Sequence, residues 1–526
     1  MRGWLDWMLG AYCRFARREL LACTVVGMLA LAGRAALHPR LGVPEPGAHD
    51  EFSYLLAGDT YASGRLTNPA HPQWEHFETF HVLQQPTYAS KYPALQGLAL
   101  AFGQRFFGQP WIGVWLTTGV MCGAICWMLQ GWISPGWALL GGLMVVTRIG
   151  ILGYWMNSYW GGAIAAAGGA LVLGAVPRIA RDRRARHAIV FAVGIGMLMN
   201  SRPFEGFVLA ALASVALAWW LWKDRVGRQV VALRVALPVV AVLVPVCAAM
   251  AYQNWRVTGN ALLMPYVEHD RQYAAASLFL WNGARQAPAY RHAVLREYWA
   301  DWQVKLIGEA RQDVAGQFFA RLGGLYGFFF GLWPVLAVAL IWPYPLKSRE
   351  ERWTAGMVGV FLVLTVAPLG GVLPHYSAPI VALLFLRLLH SFSRLPAWTI
   401  RGWPAGNILL AGLLVAWLGQ FALGLLVPGQ IPQLAHERDQ VIRKVEQTPG
   451  DHLIVVRYGP GHSVHDEWVY NRADIDGARI VWAREMGPAA DRSLLEHFSK
   501  RHVWLLTVDG GSPRLVGYPG EIADRR

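Results

Sequence analysis

Charge is scarce in this sequence. Asp, Glu, Lys and Arg make up 15% of its 526 residues, against a hydrophobic share of 55% and 26 tryptophans. Soluble domains carry about 25% charged residues, so the scarcity excludes an ordinary water-soluble protein and points to a surface that faces lipid. Acidic residues are the scarcer sign, 33 against 47 Lys+Arg, for a formal net charge of +14. Such a basic excess can mark a nucleic-acid binder, but here the basic residues sit in short links between apolar runs, where retention of cytoplasmic loops accounts for them. No nucleic-acid partner is expected.

Cysteine is equally sparse. Cys13 lies in the N-terminal segment and Cys23, Cys122, Cys126 and Cys247 lie in apolar runs, so the long polar segments hold none. A disulfide framework in those segments and a Cys/His zinc spacing are both excluded. No internal repeat is present beyond a doubled His-Asp-Glu, and there is no low-complexity tract. The opening "RFARRELLACTVVGMLALAGRAAL" has the basic-then-apolar order of a signal peptide. Many further apolar runs follow it, so it reads as an uncleaved anchor helix.

What the chain has in abundance is apolar runs. About 20 apolar residues suffice to cross a bilayer, and eleven candidates occur, at about 20–37, 111–129, 133–150, 161–177, 188–200, 207–222, 235–254, 318–342, 353–369, 375–391 and 406–427. Basic links at Arg14, Arg17 and Arg18, at 178–186, 223–228 and 345–352, and around Arg394 and Arg401 all fall on one side if these eleven are counted. A further segment, 92–108, would break that parity. With Gln96, Gln104 and Arg105 it reads as an interfacial helix, its apolar side in lipid and its polar residues wet. Segments 38–110, 256–317 and the tail from about 428 then face outward. The tail alternates helical stretches with β-rich runs, "HLIVVRY", "ARIVWAR" and "HVWLLTVD", as in a small α/β domain. The expected architecture is a polytopic α-helical membrane protein with about eleven transmembrane helices over 1–427, outer juxtamembrane helices and a soluble α/β domain over 428–526.

The unexplained polar chemistry lies in the outer segments. "GAHDEFSYLLAGD" sets Asp50 and Glu51 just after the first span and before an aromatic pair that would seat the turn at the membrane surface. A carboxylate held there can accept a proton from a hydroxyl; the plainer reading is that one of the two caps a helix. "QQPTYASKYPALQG" offers Lys91 and Tyr92, "MNSRPFEGF" offers Arg202 and Glu205, and "LPHYSAP" offers His375 and Tyr376, all on the same expected face. Taken singly they read as snorkelling, a turn-shaping pair and an interfacial aromatic pair. His71, His76 and His81 with Glu75 and Glu78 are spaced too loosely for a metal site and read as a solvated loop. The second acid copy, His465, Asp466 and Glu467, reads as structural or acceptor-facing.

An acidic pair just after the first span, a basic-aromatic-proline element opening a juxtamembrane helix, about eleven spans and an outward tail together resemble the GT-C glycosyltransferases, of the protein O-mannosyltransferase and lipid A aminoarabinose transferase type. The element here is Lys-Tyr-Pro where such proteins carry Lys or His before two prolines. The resemblance implies a bacterial inner-membrane enzyme, N-terminus cytoplasmic and tail periplasmic. It would move a sugar from a polyprenyl-phosphate carrier to a glycan, lipid or protein hydroxyl. Asp50 would be the base with Glu51 in support, Lys91, Arg202 and His375 would hold the donor phosphate, and Tyr92, Glu205 and Tyr376 would complete the site. No cofactor is required by this chemistry, and a divalent cation is compatible with it. The rivals are a transporter or flippase, which should show matched halves and charges at mid-bilayer, and a non-enzymatic envelope glycan-assembly protein.

Overall fold

A computed structural model describes residues 2–283, 285–331, 348–427 and 432–519. The second half of the predicted span 318–342, the start of the link 345–352 and the first residues of the tail lie outside the described residues.

In lipid an apolar run must close its own backbone hydrogen bonds, which a helix does within one segment. Among the described residues seven helices are long and apolar enough to cross a membrane, namely Glu19–Ala36, Trp111–Gln130, Gly162–Asp182, Pro203–Lys223, Arg228–Thr258, Pro374–Ala397 and Ala405–Leu426. Ala185–Met199 is apolar but shorter. The runs expected at 133–150, 318–342 and 353–369 coincide with helices Pro135–Val145, Val314–Phe330 and Arg349–Val366. The protein is a polytopic α-helical membrane protein with a small C-terminal β-sheet domain.

The helix Gly162–Asp182 forms the centre, because its sequence "GAIAAAGGALVLGAV" is small enough for neighbours to approach closely. A Cβ on Gly169 would meet the Pro379 carbonyl oxygen at 1.9 Å, so glycine is what lets the 3-10 segment Pro374–Ile380, which carries His375, lie against this helix. At the periphery, Val240, Val244, Leu418 and Leu423 are exposed, as lipid-facing positions should be.

The segment 38–110, the segment 256–317 and the tail pack together into one cap. The first supplies helix His49–Ala62 and short strands Val82–Leu83 and Thr87–Ser90; the second supplies helix Pro265–Tyr273. In the tail, strand His452–Tyr458 is central, parallel to both Ile480–Arg484 and His502–Val508, with Arg514–Gly517 antiparallel at the edge. Leu453 to Val456 are all buried, as in a parallel strand covered on both faces.

The expectation for 92–108 needs one correction. Helix Ala94–Phe107 does expose Leu98, Phe102, Phe106 and Phe107, but its glutamines are not wet. Gln96 is 3% exposed and donates to the Tyr159 carbonyl at 2.7 Å, and Gln104 donates to Asp59 Oδ1 at 2.7 Å. Both glutamines are spent on neighbouring protein, since a buried amide needs a partner, while Arg105 is exposed as expected.

Candidate active site

The first acid pair splits its duties by position on the helix. Glu51 is the third residue of His49–Ala62 and reaches back over its start, its Oε2 accepting from the Gly47 and Ala48 N–H groups at 2.9 and 3.0 Å. Its Oε1 accepts from the Tyr159 N–H at 2.9 Å, so this 5%-exposed carboxylate is committed to backbone donors that the helix start would leave unpaired. Burial nevertheless holds its pKa above the usual value. Asp50, one residue earlier, faces another direction. Its side chain is about one-third exposed, its Oδ1 accepts from the Tyr92 hydroxyl, and its Oδ2 lies 4.0 Å from His81 Nε2.

Lys91 stands across from it. The Lys91 N–H and the Ser53 hydroxyl both donate to the His81 carbonyl, at 3.2 and 2.6 Å, which stitches the acid-bearing helix to the strand end that presents the lysine. His81 itself has φ of 61°, a left-handed conformation uncommon away from glycine and often associated with functional sites. The Lys91 ammonium sits 4.9 Å from the Tyr266 ring centroid and 5.5 Å from those of Tyr92 and Trp299. Among the described residues no carboxylate lies within 4 Å of it. Burial lowers its pKa, while Asp270 and Asp50 pull the other way. A cation held over aromatic rings without a close counter-ion is poised for an anion.

Three histidines line this chamber. Burial takes His49 down to about 3, His269 down to about 4 and His81 well below its usual value, with Lys91 adding to the effect on the last two. All three are neutral at pH 7. Among the described residues His269 has no hydrogen-bond partner on either ring nitrogen, nor has His81 Nδ1 or His49 Nε2.

The remaining candidates form the adjoining wall. Arg202 stacks on Tyr376 at 4.6 Å, and Tyr54 stacks on Tyr92 at 4.4 Å. The Leu95 N–H donates to the Asn200 carbonyl at 3.0 Å, which holds the segment before Arg202 against the helix that follows Lys91 and Tyr92. Arg202 and Glu205 form no ion pair within 4 Å. His375 lies deeper. Tyr154 Oη accepts from its backbone N–H at 3.1 Å and shares a hydrogen bond with its Nδ1 at 2.8 Å, with Trp160 edge-on at 4.6 Å.

The second acid copy is a joint. Glu467 is fully buried and receives Arg484 Nη2 at 2.5 Å, the Val469 N–H at 2.7 Å and the Tyr458 hydroxyl. Arg484 in turn donates Nε to the Glu78 carbonyl at 2.7 Å, and His76 donates to the Arg484 carbonyl at 2.9 Å. Further along, Asp59 takes Arg472 at 3.0 Å and the Ala473 N–H at 2.8 Å. The docked domain lays Tyr470 on Phe52 at 4.3 Å and sets His465 edge-on to Trp302 at 4.8 Å, roofing the chamber.

The histidines of 71–81 do not gather as one group. His76 is bound to Arg484, His81 faces Asp50, and His71 pairs with the tail instead. Among the described residues His71, Asp476 and His497 form the one trio whose ligand atoms could hold a metal ion, all within 4.8 Å of one another. His71 Nδ1 accepts the Gln73 N–H at 2.9 Å, so its Nε2 carries the proton given to Asp476 at 3.2 Å. A cation would have to displace that proton. The trio lies at the domain joint, outside the Asp50 chamber.

Tyr266, His269 and Trp299 are not singled out from sequence, and His81 is read there only as part of a solvated loop, whereas it is buried beside Asp50. Tyr266 and His269 are three apart in "MPYVEHDRQY", one helix face, and that spacing was a readable signal. His81 left none, because its place depends on a backbone twist.

Fold and site together describe a polytopic α-helical membrane protein with a carboxylate and two cations under a small C-terminal β-sheet domain. The fold is shared with ArnT from Cupriavidus metallidurans bound to undecaprenyl phosphate, at a TM-score of 0.50 and 12% identity over 96% of this chain and 93% of that one. The apo form of the same protein aligns at 0.49 and 12% over 96% and 93%. The apo oligosaccharyltransferase of Archaeoglobus fulgidus aligns at 0.48 and 11%, over 84% of this chain and 62% of that one. No protein-family model matches the sequence, and no curated protein matches it.

Proposed function

We propose that the protein is a glycosyltransferase that takes a sugar from a polyprenyl-phosphate carrier and gives it to an acceptor hydroxyl on the outer, periplasmic face of a bacterial inner membrane. The chain would cross eleven times, with its N-terminus cytoplasmic and residues 428–526 outside. The observation that carries the reading is a partly open carboxylate, Asp50, on the same side of the protein as Lys91 and Arg202, two cations that have no carboxylate within 4 Å among the described residues. ArnT, which has this fold, holds undecaprenyl phosphate, a ligand of the proposed donor class.

In this reaction Asp50 takes the proton of the acceptor hydroxyl as its oxygen attacks the anomeric carbon. The bond from that carbon to the phosphate oxygen breaks, and the electron pair leaves with the carrier phosphate. Phosphate is a good leaving group, so catalysis rests on holding its growing charge, the task of Lys91 and Arg202 with His375 in support. Glu51 fixes the helix start that aims Asp50, while Tyr92, Tyr376 and Glu205 shape the wall. A single displacement inverts the anomeric centre; an NMR spectrum of the product with retained configuration would overturn it. A divalent cation is compatible with these steps, and the His71–Asp476–His497 trio, if loaded, would brace the domain joint.

The test is lipid-linked sugar profiling of cells lacking the gene beside cells expressing Asp50→Asn. One polyprenyl-phosphate sugar should accumulate in both. Normal levels in the Asp50→Asn cells would sink the reading, and would favour an assembly protein that acts without catalysis.

A further inference from the structure

We propose that a second cavity in the cap, separate from the Asp50 chamber, binds a neutral saccharide unit. It has a volume of about 240 Å3 and opens between the two loop segments, with Trp74 and Glu78 on one side and Gln272, Tyr273 and Arg291 on the other. Pockets for drug-sized ligands run to about 300–1,000 Å3, so this one suits a single sugar ring.

Its walls carry the chemistry a sugar needs. Arg291 lies over the Trp74 ring at 4.5 Å and binds Glu75 through Nε at 3.0 Å, which fixes the planar groups against which the C–H face of a sugar can rest. Glu78 supplies the polar side. It is 4% exposed, its Oε1 accepts the Tyr273 hydroxyl at 3.0 Å, and among the described residues its Oε2 has no hydrogen-bond donor. His292 Nε2 comes within 3.5 Å of that oxygen but donates to the Glu75 carbonyl at 2.8 Å. A buried carboxylate oxygen left without a donor calls for one, and a ligand hydroxyl provides it. Gln272 spends its amide N–H groups on the Gln85 carbonyl and Glu268, leaving its oxygen as an acceptor.

Charge decides the ligand class. Arg291 faces both Glu75 and Glu78, at 3.0 and 3.6 Å, so no uncompensated positive charge is present for a phosphate or a sugar acid. A neutral polyhydroxylated ring fits. Helix Pro265–Tyr273 links the cavity to the chamber, with Tyr266 beside Lys91 at one end and Tyr273 on Glu78 at the other. On the glycosyltransferase reading, on which this role rests, the cavity holds a sugar of the acceptor away from the reacting hydroxyl. Its contacts are then equal in ground and transition states and act on KM rather than kcat.

The test uses full-length protein in lipid nanodiscs and saturation-transfer NMR with maltotriose, cellotriose, mannotriose and chitotriose, with N-acetylneuraminic acid as the anionic control. At least one neutral probe should bind, and at least tenfold more weakly to Trp74→Ala and to Gln272→Leu, with Asp50→Asn unaffected. Gln272 is half-buried, so its variant carries the comparison if Trp74→Ala does not fold. The proposal is overturned if no neutral probe binds, if the acid binds as well as the neutral sugars, if both cavity variants bind normally, or if Asp50→Asn abolishes binding. Sugar binding in a protein that leaves lipid-linked sugar levels untouched would overturn the transferase reading and leave the cavity standing; transfer without sugar binding would do the reverse.

Discussion

The two His-Asp-Glu copies, residues 49–51 and 465–467, make the same division of labour in different solvents. In both, the glutamate is buried and committed, Glu51 to three backbone N–H groups and Glu467 to Arg484, a hydroxyl and a backbone N–H. In both, the aspartate is left more open. What differs is what surrounds it. Asp50 looks across a wall of aromatic rings toward buried cations, whereas Asp466 stands in solvent on an exposed turn. The lesson is that three identical letters set which residue is anchored, and the surrounding elements set whether the remaining carboxylate has anything to act on. The copies even meet, their histidine rings 6.4 Å apart across the domain joint.

Removing one carboxylate from each copy breaks the comparison most sharply. Asp50→Asn should cut turnover by about 10²–10⁴-fold, the usual loss of a general base, while Asp466→Asn stays within about twofold; equal losses in a sugar-transfer assay would erase the distinction. The glutamates should report on stability instead. Glu467→Ala strands Arg484 in the interior and should cost about 3–5 kcal/mol, read as a lower melting temperature. Glu51→Ala, which frees neutral donors, should cost about 1–3 kcal/mol for each one left unpaired. Lys91→Met should lower kcat/KM for the donor by about 10–100-fold, the loss of a hydrogen bond to a charged group, with a fall in kcat because the contact strengthens as the phosphate leaves, and with little change in melting temperature.

The smallest effect is a pH dependence. His49, His81, His269 and His292 have folded pKa values below the ordinary one, through burial. As pH falls below about 6.5 the unfolded chain takes up protons that the folded chain refuses, so stability is present above that pH and is lost on acidification, by up to about 1.4 kcal/mol per pH unit for each group. Glu51 and Glu78, held above their ordinary value, act in the opposite sense and soften the fall. Thermal melts at pH 7 and pH 5 should therefore differ, the acid one melting lower; identical melts would mean that these rings are not buried.

Much of this was legible beforehand. Runs such as Trp111–Gln130 announce themselves because lipid leaves the backbone no alternative to a helix, and "HLIVVRY" announces a strand by its β-branched run. The glutamines of 92–108 were misjudged for a physical reason. Composition says that an amide is polar, but whether water or the Tyr159 carbonyl satisfies it depends on what folds over it. For the same reason His71 was grouped with His76 and His81, its chain neighbours, when its partners lie about 400 residues away in Asp476 and His497.

By itself the sequence determined the membrane-embedded class, the polar segments where chemistry could occur, and a helix starting close to Asp50 and Glu51, because these follow from local hydrophobicity and from how a helix start is capped. Only the tertiary structure decided that Asp50 rather than Glu51 is left open, that Lys91 lies among rings drawn from both loop segments, and that the tail closes over them. Those outcomes depend on burial and on partners far apart in the chain, and a carboxylate's environment is the sum of such partners rather than a property of its own letter.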